Sequence, residues 1–562
     1  MTQRVGVRHP IPGVVYAPGA DLARYVQSGV LTNETLVSAL VEISNRYPDR
    51  IAVSEPGSIC TYRQLDELTD RAAAGLLKLG LAPLDRVIFQ VSNSKELIFG
   101  IIACLKAGLI PICTLVAFRR HEISSIGGLA QARAHFVHGD DPKFDLVSFA
   151  NDMRKEVPSI QHVIVTRGKT GDQSHGAVAF ESLGWDIDLD DARSILTQVE
   201  RDPFQVAIFQ LSGGTSGVPK IIPRFHNEYV YTIRTVIRRQ GLDESVVAFT
   251  PNPLLHNAPM ACYWGPALFS GGEVAISPSL DPQVIGRVIA DRKPSWGSVP
   301  LVILLRLKSA GVLLPDAYAH AKGLLVPNSA RRVSELTGAP AWPLYGMTEG
   351  LLSCVCRDDP DEAVDRTVGR PLSEYDDVRI VRLESEDECD IGEIGELWVR
   401  GPCTIRGYFN AEDTNRIAFR PDGYYRSGDL MSWQLIDGSR YLAFHGRIKD
   451  VVSRGGEKIN CLEVESQAIK HPAVGSIAVV PMPDPVYGER ACAFVIPAPG
   501  TNALTVSELG VFLESIGMAK FKWPERIEIV SEFPMTNSGK LSKPKLRELI
   551  AKKLREEGTL SD

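Results

Sequence analysis

A glycine-rich loop directly after an apolar strand constrains this chain more than any other feature of its sequence. Residues 212–220 read Ser-Gly-Gly-Thr-Ser-Gly-Val-Pro-Lys, and the apolar run at 205–211 predicts a buried β-strand before them. Glycine lets backbone N–H groups approach an anion closely, and the serine, threonine and lysine side chains add donors and positive charge. Because α/β sheets bind ligands at the ends of their strands, the loop predicts a phosphate site.

The loop does not have the sequence of a Walker A motif. Its last glycine, Gly217, is followed by Val218 and Pro219 before Lys220, so the Gly-Lys-Ser/Thr ending is missing. We therefore do not expect the fold of a P-loop NTPase. For such a loop taken alone, a flexible surface turn is the alternative interpretation.

Length and composition indicate a globular protein of more than one domain that acts on small molecules. The chain has 562 residues, 44% of them hydrophobic, and a net charge of −7. This charge provides neither a basic surface for nucleic acid nor a polybasic patch for a membrane. The N-terminal residues lack the apolar stretch of a secretory signal, and the cysteines lack Cys-x-x-Cys spacing. Both observations favour a reducing compartment and predict a cytoplasmic location.

One apolar segment, residues 97–118, is long enough to cross a bilayer apart from Lys106 near its middle. Gly108 and Pro111 divide this segment. We therefore predict a buried helix followed by a strand in an α/β layer, with a membrane span as the alternative.

Apolar strands and helical patterns alternate over the first part of the chain, which is typical of sheets flanked by helices. After about Gly395 short strands and turns dominate. The predicted fold is α/β: an N-terminal domain of helix-flanked sheets with a β-rich closing subdomain (1–445), and a small mobile α+β C-terminal domain (446–562). In the last helix, Leu546, Leu549, Ile550 and Leu554 form the predicted buried stripe, and the charged residues, including Arg547, are expected to face solvent.

Four further polar stretches follow the loop. Residues 345–349 (Tyr-Gly-Met-Thr-Glu) offer a ring that can stack on a base, a hydroxyl for phosphate and a carboxylate suited to Mg²⁺. Residues 425–429 (Tyr-Arg-Ser-Gly-Asp) end a predicted strand with an exposed carboxylate that can accept hydrogen bonds from ribose hydroxyls. Residues 446–458 form a charged junction with a second glycine-rich turn, where a hinge is expected. Residues 534–543 place Lys540 directly after a glycine. Each stretch alone also fits a helix cap, a turn or a surface lysine.

Together these five motifs resemble the adenylate-forming superfamily of acyl-CoA synthetases, peptide-synthetase adenylation domains and luciferases. They occur in that family's order, and residues 209–224 are especially similar to the stand-alone aryl-acid AMP ligases for 2,3-dihydroxybenzoate and salicylate. The resemblance implies that ATP and Mg²⁺ convert an aryl carboxylic acid to aryl-AMP and pyrophosphate. The aryl group then passes to a thiol, either coenzyme A or the phosphopantetheine of an aryl carrier protein, in siderophore or other secondary-metabolite biosynthesis.

Three alternatives stay open beside this expectation. They are a catabolic aryl-CoA or acyl-CoA ligase, an adenylate-binding relative without turnover, and a luciferase-like oxidoreductase. The presence of Lys540, Glu349 and Asp429 favours an active ligase.

The resemblance also implies roles for individual residues. The phosphates of ATP are assigned to Ser212, Gly213, Gly214, Thr215, Ser216, Gly217 and Lys220. The rest of the nucleotide is assigned to Tyr345, Gly346, Asp429 and Arg447, the last two at the ribose. The catalytic residues are Lys540, which bridges the carboxylate and the α-phosphate, together with Thr348, His256 and Glu349, the Mg²⁺ ligand. The resemblance further implies that the C-terminal domain rotates about Asp450 and brings a turn with Gly455, Gly456 and Lys458 to the thiol.

The aryl acid is assigned to Asn257, Cys262, Asn328, Ser329 and Leu352. Asn257 would bond a ring hydroxyl ortho to the carboxylate. Cys262 stands where relatives that accept a 2,3-dihydroxy ring commonly have serine, and a thiol is a weak hydrogen-bond partner. This favours salicylate or another 2-hydroxy or 2-amino aryl acid, with a core residue outside the pocket as the alternative for Cys262. Residues 327–331 are shorter than the family's loop and are expected to reshape the pocket, whereas Leu352 provides an apolar wall.

Overall fold

The computed structural model describes residues 5–168, 176–212, 219–314, 317–327, 329–454, 457–501, 503–536 and 541–559. The α-helices are α1 Gly19–Gln27, α2 Leu36–Arg46, α3 Tyr62–Lys78, α4 Lys95–Lys106, α5 Arg120–Ala130, α6 Leu146–Glu156, α7 Leu189–Thr197, α8 His226–Gln240, α9 Gly265–Ser270, α10 Pro282–Arg292, α11 Leu301–Ser309, α12 Ala330–Thr337, α13 Asp361–Arg366, α14 Glu412–Ala418, α15 Cys461–Ala468, α16 Val506–Ser515 and α17 Lys543–Glu556.

The strands are β1 Ile51–Glu55, β2 Ser58–Thr61, β3 Arg86–Gln90, β4 Ile110–Cys113, β5 Ala134–His138, β6 His162–Thr166, β7 Val178–Ala179, β8 Val206–Leu211, β9 Ile221–Phe225, β10 Val247–Phe249, β11 Glu273–Ala275, β12 Trp296–Gly297, β13 Gly323–Val326, β14 Ala341–Gly346, β15 Leu352–Cys354, β16 Arg370–Pro371, β17 Asp377–Val381, β18 Gly395–Arg400, β19 Tyr425–Ile436, β20 Ser439–Arg447, β21 Val451–Arg454, β22 Glu457–Asn460, β23 Val474–Asp484, β24 Gly488–Pro497 and β25 Arg526–Ile529.

Two mostly parallel sheets make up the N-terminal part, as the alternating pattern predicted. The seven-stranded sheet has the order β7-β6-β5-β3-β4-β8-β9, and only its β8–β9 pair is antiparallel. The nine-stranded sheet has the order β16-β15-β14-β13-β12-β10-β11-β1-β2. Parallel strands joined by helices are covered on both faces, which explains why their sequences read as continuous apolar runs.

Helix α3 illustrates how the sequence encodes these layers. Thr61 and Gln64 form a reciprocal capping box at its start. Leu65, Ala72 and Leu76 recur at helical spacing and are buried in the core between the sheets. The helix therefore packs its apolar stripe inward while its start is fixed by its own side chains.

The apolar segment at 97–118 forms helix α4 and strand β4, as predicted. Gly108, at φ +73, follows the helix and permits the turn into the strand. Lys106 is buried, and its ammonium lies 2.6 Å from Asp66 and 2.6 Å from Asp70. The lysine is thus a paired core charge. Across the described residues, we find no helix that combines the length and the apolar character needed to cross a bilayer.

A four-stranded antiparallel sheet, in the order β17-β18-β19-β20, forms the predicted β-rich region. Its start near Gly395 was predicted wrongly, because β17 begins at Asp377. That strand carries charged residues and only two buried positions, so it has no apolar run that marks it in the sequence. The prediction of short strands was also wrong for β19, which runs for 12 residues.

The C-terminal sheet has the order β22-β21-β24-β23, with β25 paired to β24. Helix α17 packs on β23 through Leu546, Ile550 and Leu554, which are buried. Leu549 was predicted in this stripe but is 50% exposed, because the contact with the sheet covers a narrower face of the helix than the sequence pattern indicated. The boundary at 445/446 stays a prediction.

Candidate active site

The base of the glycine-rich loop is closed by a pair of hydrogen bonds at the carboxyl end of β8. The Ser212 N–H donates to the Lys220 carbonyl, and the Lys220 N–H donates to Ser212 Oγ, both at 2.9 Å. Strands β8 and β9, which flank the loop in sequence, pair antiparallel. Gly213, Gly214, Thr215, Ser216 and Gly217 lie outside the described residues, and their phosphate role stays a prediction.

Lys220 meets the second motif through a tyrosine that sequence reasoning missed. The Lys220 ammonium lies 4.8 Å from the centre of the Tyr408 ring, a cation–π distance. The Tyr408 hydroxyl donates to Glu349 Oε1 at 2.7 Å and lies 3.0 Å from the Tyr425 hydroxyl. Burial and the nearby Glu349 carboxylate raise the pKa of Tyr408, so the phenol keeps its proton. Lys220 of the loop and Glu349 of the 345–349 motif thus share one polar cluster.

Asp429 is buried, which corrects the prediction of an exposed carboxylate at a strand end. It lies within the long strand β19, where the neighbouring β20 and Tyr345 cover it. The Tyr345 hydroxyl donates to Asp429 Oδ2 at 2.5 Å, and Arg447 Nε lies 3.2 Å from Oδ1. Burial raises the pKa of Asp429 although the Arg447 guanidinium opposes the shift.

Strand pairing explains why Tyr345, Asp429 and Arg447 meet. Asp429 on β19 stands directly opposite Arg447 on β20. Tyr345 is at the end of β14, its ring centre 5.8 Å from that of Phe444 on β20, and Gly346 follows as an exposed residue. Three of the four residues predicted for this part of the nucleotide therefore meet, with Asp429 in contact with both Tyr345 and Arg447.

A buried arginine, Arg224, joins two of the predicted site residues and was also missed by sequence reasoning. Its guanidinium forms two hydrogen bonds with the Glu228 carboxylate, at 2.7 and 2.6 Å. Its third nitrogen donates to the Thr348 carbonyl at 2.7 Å and to Asn257 Oδ1 at 3.3 Å. Tyr229 donates to the same Oδ1 at 2.6 Å. The sequence signal was a charged residue near the end of an apolar strand, with an acidic residue, Glu228, four positions later. Charged residues are rarely buried unless they are paired.

The other residues predicted for the aryl acid, and His256 of the predicted catalytic set, lie on different elements. Cys262 is fully buried in a π-helical turn, Pro259–Trp264, and Leu352 is buried at the start of β15 in the same apolar cluster. Half-buried His256 directly precedes Asn257. Ser329 is exposed, at φ +58, immediately before α12, and Asn328 lies outside the described residues.

Asp450 ends a single 3₁₀ turn, Ile448–Asp450, between β20 and β21. It forms an ion pair with Arg547 of α17. Arg547 was expected to face solvent, but its side chain is only 28% exposed because Asp450 draws it against the turn. Gly455, Gly456 and Lys540 lie outside the described residues, as does the side chain of Lys458.

Comparison with known proteins places this geometry in a family. The family model for AMP-binding enzymes matches residues 40–409, and the model for the AMP-binding enzyme C-terminal domain matches residues 463–540. The chain is 35% identical over 541 residues to 2,3-dihydroxybenzoate-AMP ligase of Bacillus subtilis, covering 94% of this chain and 96% of that protein. It is 34% identical over 556 residues to salicyl-AMP ligase / salicyl-S-ArCP synthetase of Mycobacterium tuberculosis, covering 95% of each.

Solved structures show the same relationship. The apo structure of Mycobacterium smegmatis MbtA has a TM-score of 0.71 and 31% identity, over 95% of this chain and 98% of the other. Family models, relatives and fold therefore agree with the five motifs: the chain belongs to the AMP-binding enzymes, the adenylate-forming family that includes aryl-acid AMP ligases.

Proposed function

We propose that this chain activates an aryl carboxylic acid with a salicylate-like ortho substituent and transfers it to a thiol. An oxygen of the acid attacks the α-phosphorus of ATP, the bond to the bridging oxygen breaks, and pyrophosphate leaves. The thiolate of the acceptor then attacks the aryl carbonyl carbon and releases AMP. Coenzyme A and the phosphopantetheine of an aryl carrier protein are both thiols that fit this step.

The observation that carries the proposal is the contact between motifs far apart in sequence. Lys220, Tyr408 and Glu349 form one cluster, and Arg224 connects Thr348 to Asn257. The residues to which we assign the phosphates, the metal and the acid thus lie within a few side chains of each other. Relatives named as ligases of 2,3-dihydroxybenzoate and of salicylate support the same substrate class.

Glu349 fits the role of a Mg²⁺ ligand. It is a buried carboxylate whose Oε1 accepts one hydrogen bond from Tyr408, and a carboxylate has about four lone-pair sites, so capacity for a hard cation remains. When bound, Mg²⁺ supplies positive charge that offsets the phosphate oxygens. Lys220 and Arg447 add fixed positive charge nearby, and Tyr345 presents a ring at the end of β14.

Exchange of labelled pyrophosphate into ATP tests the first half-reaction. We expect exchange to depend on an added aryl acid when salicylate, 2,3-dihydroxybenzoate, 3-hydroxyanthranilate, 3-hydroxypicolinate and benzoate are compared. A thioester assay with coenzyme A and with a loaded carrier protein then identifies the acceptor. Absence of exchange with every acid would contradict the proposed function, and light emission with oxygen uptake would favour the luciferase-like alternative.

Replacement of Cys262 by serine tests the assignment of ring specificity. Burial raises the pKa of the Cys262 thiol to about 12, so the native side chain is neutral and a poor hydrogen-bond partner. Serine adds a hydroxyl at the same place. We expect the kcat/KM ratio of 2,3-dihydroxybenzoate to salicylate to rise by about 10-fold, the value of one good hydrogen bond.

The matched control for Cys262→Ser is Cys492→Ser, because Cys492 is equally buried but lies on β24 in the C-terminal sheet. Both substitutions place a hydroxyl in an apolar core, so both lower the thermal unfolding temperature. Only Cys262→Ser is expected to change the ratio. A native preference for the dihydroxy acid would contradict the role assigned to Cys262.

Replacement of Asp450 by proline tests the proposed rotation of the C-terminal domain. Proline fixes φ near −65° and removes the backbone freedom that a hinge needs. We expect thioester formation to fall by about 10-fold or more, while pyrophosphate exchange changes by less than about 3-fold. Asp450→Asn is the control, because it breaks the ion pair with Arg547 and leaves the backbone free. If Asp450→Pro and Asp450→Asn lowered thioester formation equally, the cause would be loss of the ion pair and not loss of backbone freedom at a hinge.

A further inference from the structure

Two donors hold the side-chain amide of Asn257 in one orientation. Its Oδ1 accepts hydrogen bonds from the Tyr229 hydroxyl at 2.6 Å and from the Arg224 guanidinium at 3.3 Å. An amide oxygen has two lone pairs, so these bonds fill its acceptor capacity. The reverse orientation would direct amide N–H bonds at a guanidinium, which has no acceptor. The Nδ2 protons are therefore what this side chain offers to a bound molecule.

Neither donor loses its proton near neutral pH. Burial alone would lower the pKa of Arg224, but the Glu228 carboxylate outweighs burial and raises it. Burial raises the pKa of Tyr229 far above its ordinary value. The Arg224 guanidinium also lies 4.9 Å from the centre of the Tyr229 ring, which fixes the two donors relative to each other. The orientation of Asn257 is thus a permanent property of the folded chain.

We propose that Asn257 presents hydrogen-bond donors only, so that the enzyme selects aryl acids whose ortho substituent accepts a hydrogen bond and rejects those whose ortho substituent only donates. The proposal rests on the proposed function, because it requires Asn257 to contact the ortho position. It goes further, because it predicts that the enzyme distinguishes 2-hydroxy acids from 2-amino acids, whereas the sequence was consistent with both.

The two substituents differ in what they offer to Nδ2. In salicylate the phenol proton bonds to the neighbouring carboxylate, which leaves oxygen lone pairs directed outward. In 2-aminobenzoate one N–H bonds to the carboxylate, the second N–H points outward, and the nitrogen lone pair is delocalised into the ring. When 2-aminobenzoate is bound, its outward N–H faces an N–H of Asn257 Nδ2, and neither donor has an acceptor. A donor buried without a partner is costly, so we expect a discrimination of about 10- to 100-fold in kcat/KM.

Pyrophosphate exchange with the full-length enzyme provides the first measurement. We expect kcat/KM for salicylate to exceed that for 2-aminobenzoate by the stated factor, and 2-aminobenzoate to be used no better than benzoate. Because only ratios between acids are compared, the fraction of active enzyme cancels. Equal use of salicylate and 2-aminobenzoate would overturn the proposal even though exchange itself supported the proposed function.

Two substitutions test the cause of the preference. Asn257→Asp keeps the shape and lets one oxygen accept from Tyr229 and Arg224, while the other faces the ligand as an acceptor. The ratio of salicylate to 2-aminobenzoate should then fall by about 10-fold or more. Tyr229→Phe removes the shorter of the two hydrogen bonds, so the amide is held by Arg224 alone and the ratio should also fall, by less than in Asn257→Asp.

Tyr62→Phe is the matched control for Tyr229→Phe. Tyr62 is fully buried, and its hydroxyl donates to the Gly272 carbonyl at 2.6 Å, so the variant also loses one buried hydrogen bond. We expect it to lose stability without a change in the ratio. An unchanged ratio in Tyr229→Phe, or the same change in Tyr62→Phe, would overturn the proposal. If no aryl acid supports exchange, the proposed function fails and the proposal fails with it.

Discussion

Replacement of Lys540 by alanine is expected to lower aryl-acid-dependent pyrophosphate exchange by about 10²–10³-fold, the typical effect of removing one preorganised donor that faces a developing negative charge. The resemblance to adenylate-forming enzymes assigns this lysine to the carboxylate and the α-phosphate, where attack concentrates charge. Adenylation relies on positioning and charge rather than on a covalent nucleophile, so no other side chain is expected to replace it.

Thioester formation, the second half-reaction, distinguishes the loss of the adenylation role of Lys540 from a general loss of enzyme structure. The lysine is expected to leave the site when the C-terminal domain rotates, so Lys540→Ala should convert synthetic aryl-AMP to thioester at nearly the native rate. Lys552→Ala, which removes an exposed lysine of the same C-terminal region, is the control and should leave both rates unchanged. Exchange that survives Lys540→Ala unchanged would contradict the mechanism proposed for this chain.

Replacement of Arg224 by methionine should destabilise the fold by about 3–5 kcal/mol, because it leaves the Glu228 carboxylate buried without its cation. The side chains of Arg224 and Glu228 are only 2% and 5% exposed, so solvent does not screen the loss. Urea unfolding followed by tryptophan fluorescence measures the change. The exposed pair Arg382 and Glu393, at 2.6 Å, provides the control, and Arg382→Met should leave the stability nearly unchanged because solvent screens an exposed ion pair.

A double substitution distinguishes the structural role of Arg224 from its role in the site. In Arg224→Met with Glu228→Gln no charge remains buried, so much of the lost stability should return. The hydrogen bonds to the Thr348 carbonyl and Asn257 are still missing, and exchange should stay low despite the recovered stability. Recovery of exchange together with stability would limit Arg224 to a role in folding.

Local sequence patterns correctly predicted those features of the structure that neighbouring residues determine by themselves. The loop at 212–220 follows a buried strand, the apolar segment at 97–118 forms a helix and a strand, and the order of five motifs predicted the family. Periodicity, glycine and proline act over a few residues, so they can be read without the fold. The predictions failed at Asp377 and Leu549 for the same reason. Whether the residues from Asp377 form a strand, and whether Leu549 is buried, depends on packing against other elements of the fold.

The sequence by itself determined that this chain is an adenylate-forming enzyme and which polar residues its motifs contain. Only the tertiary structure decided how those residues are held: Asp429 is buried against Tyr345, and Tyr408 bonds Glu349. It also decided that Arg224 and Tyr229 orient Asn257. The physical reason is that a hydrogen bond depends on distance and direction in space, and partners separated by tens or hundreds of residues leave no local pattern.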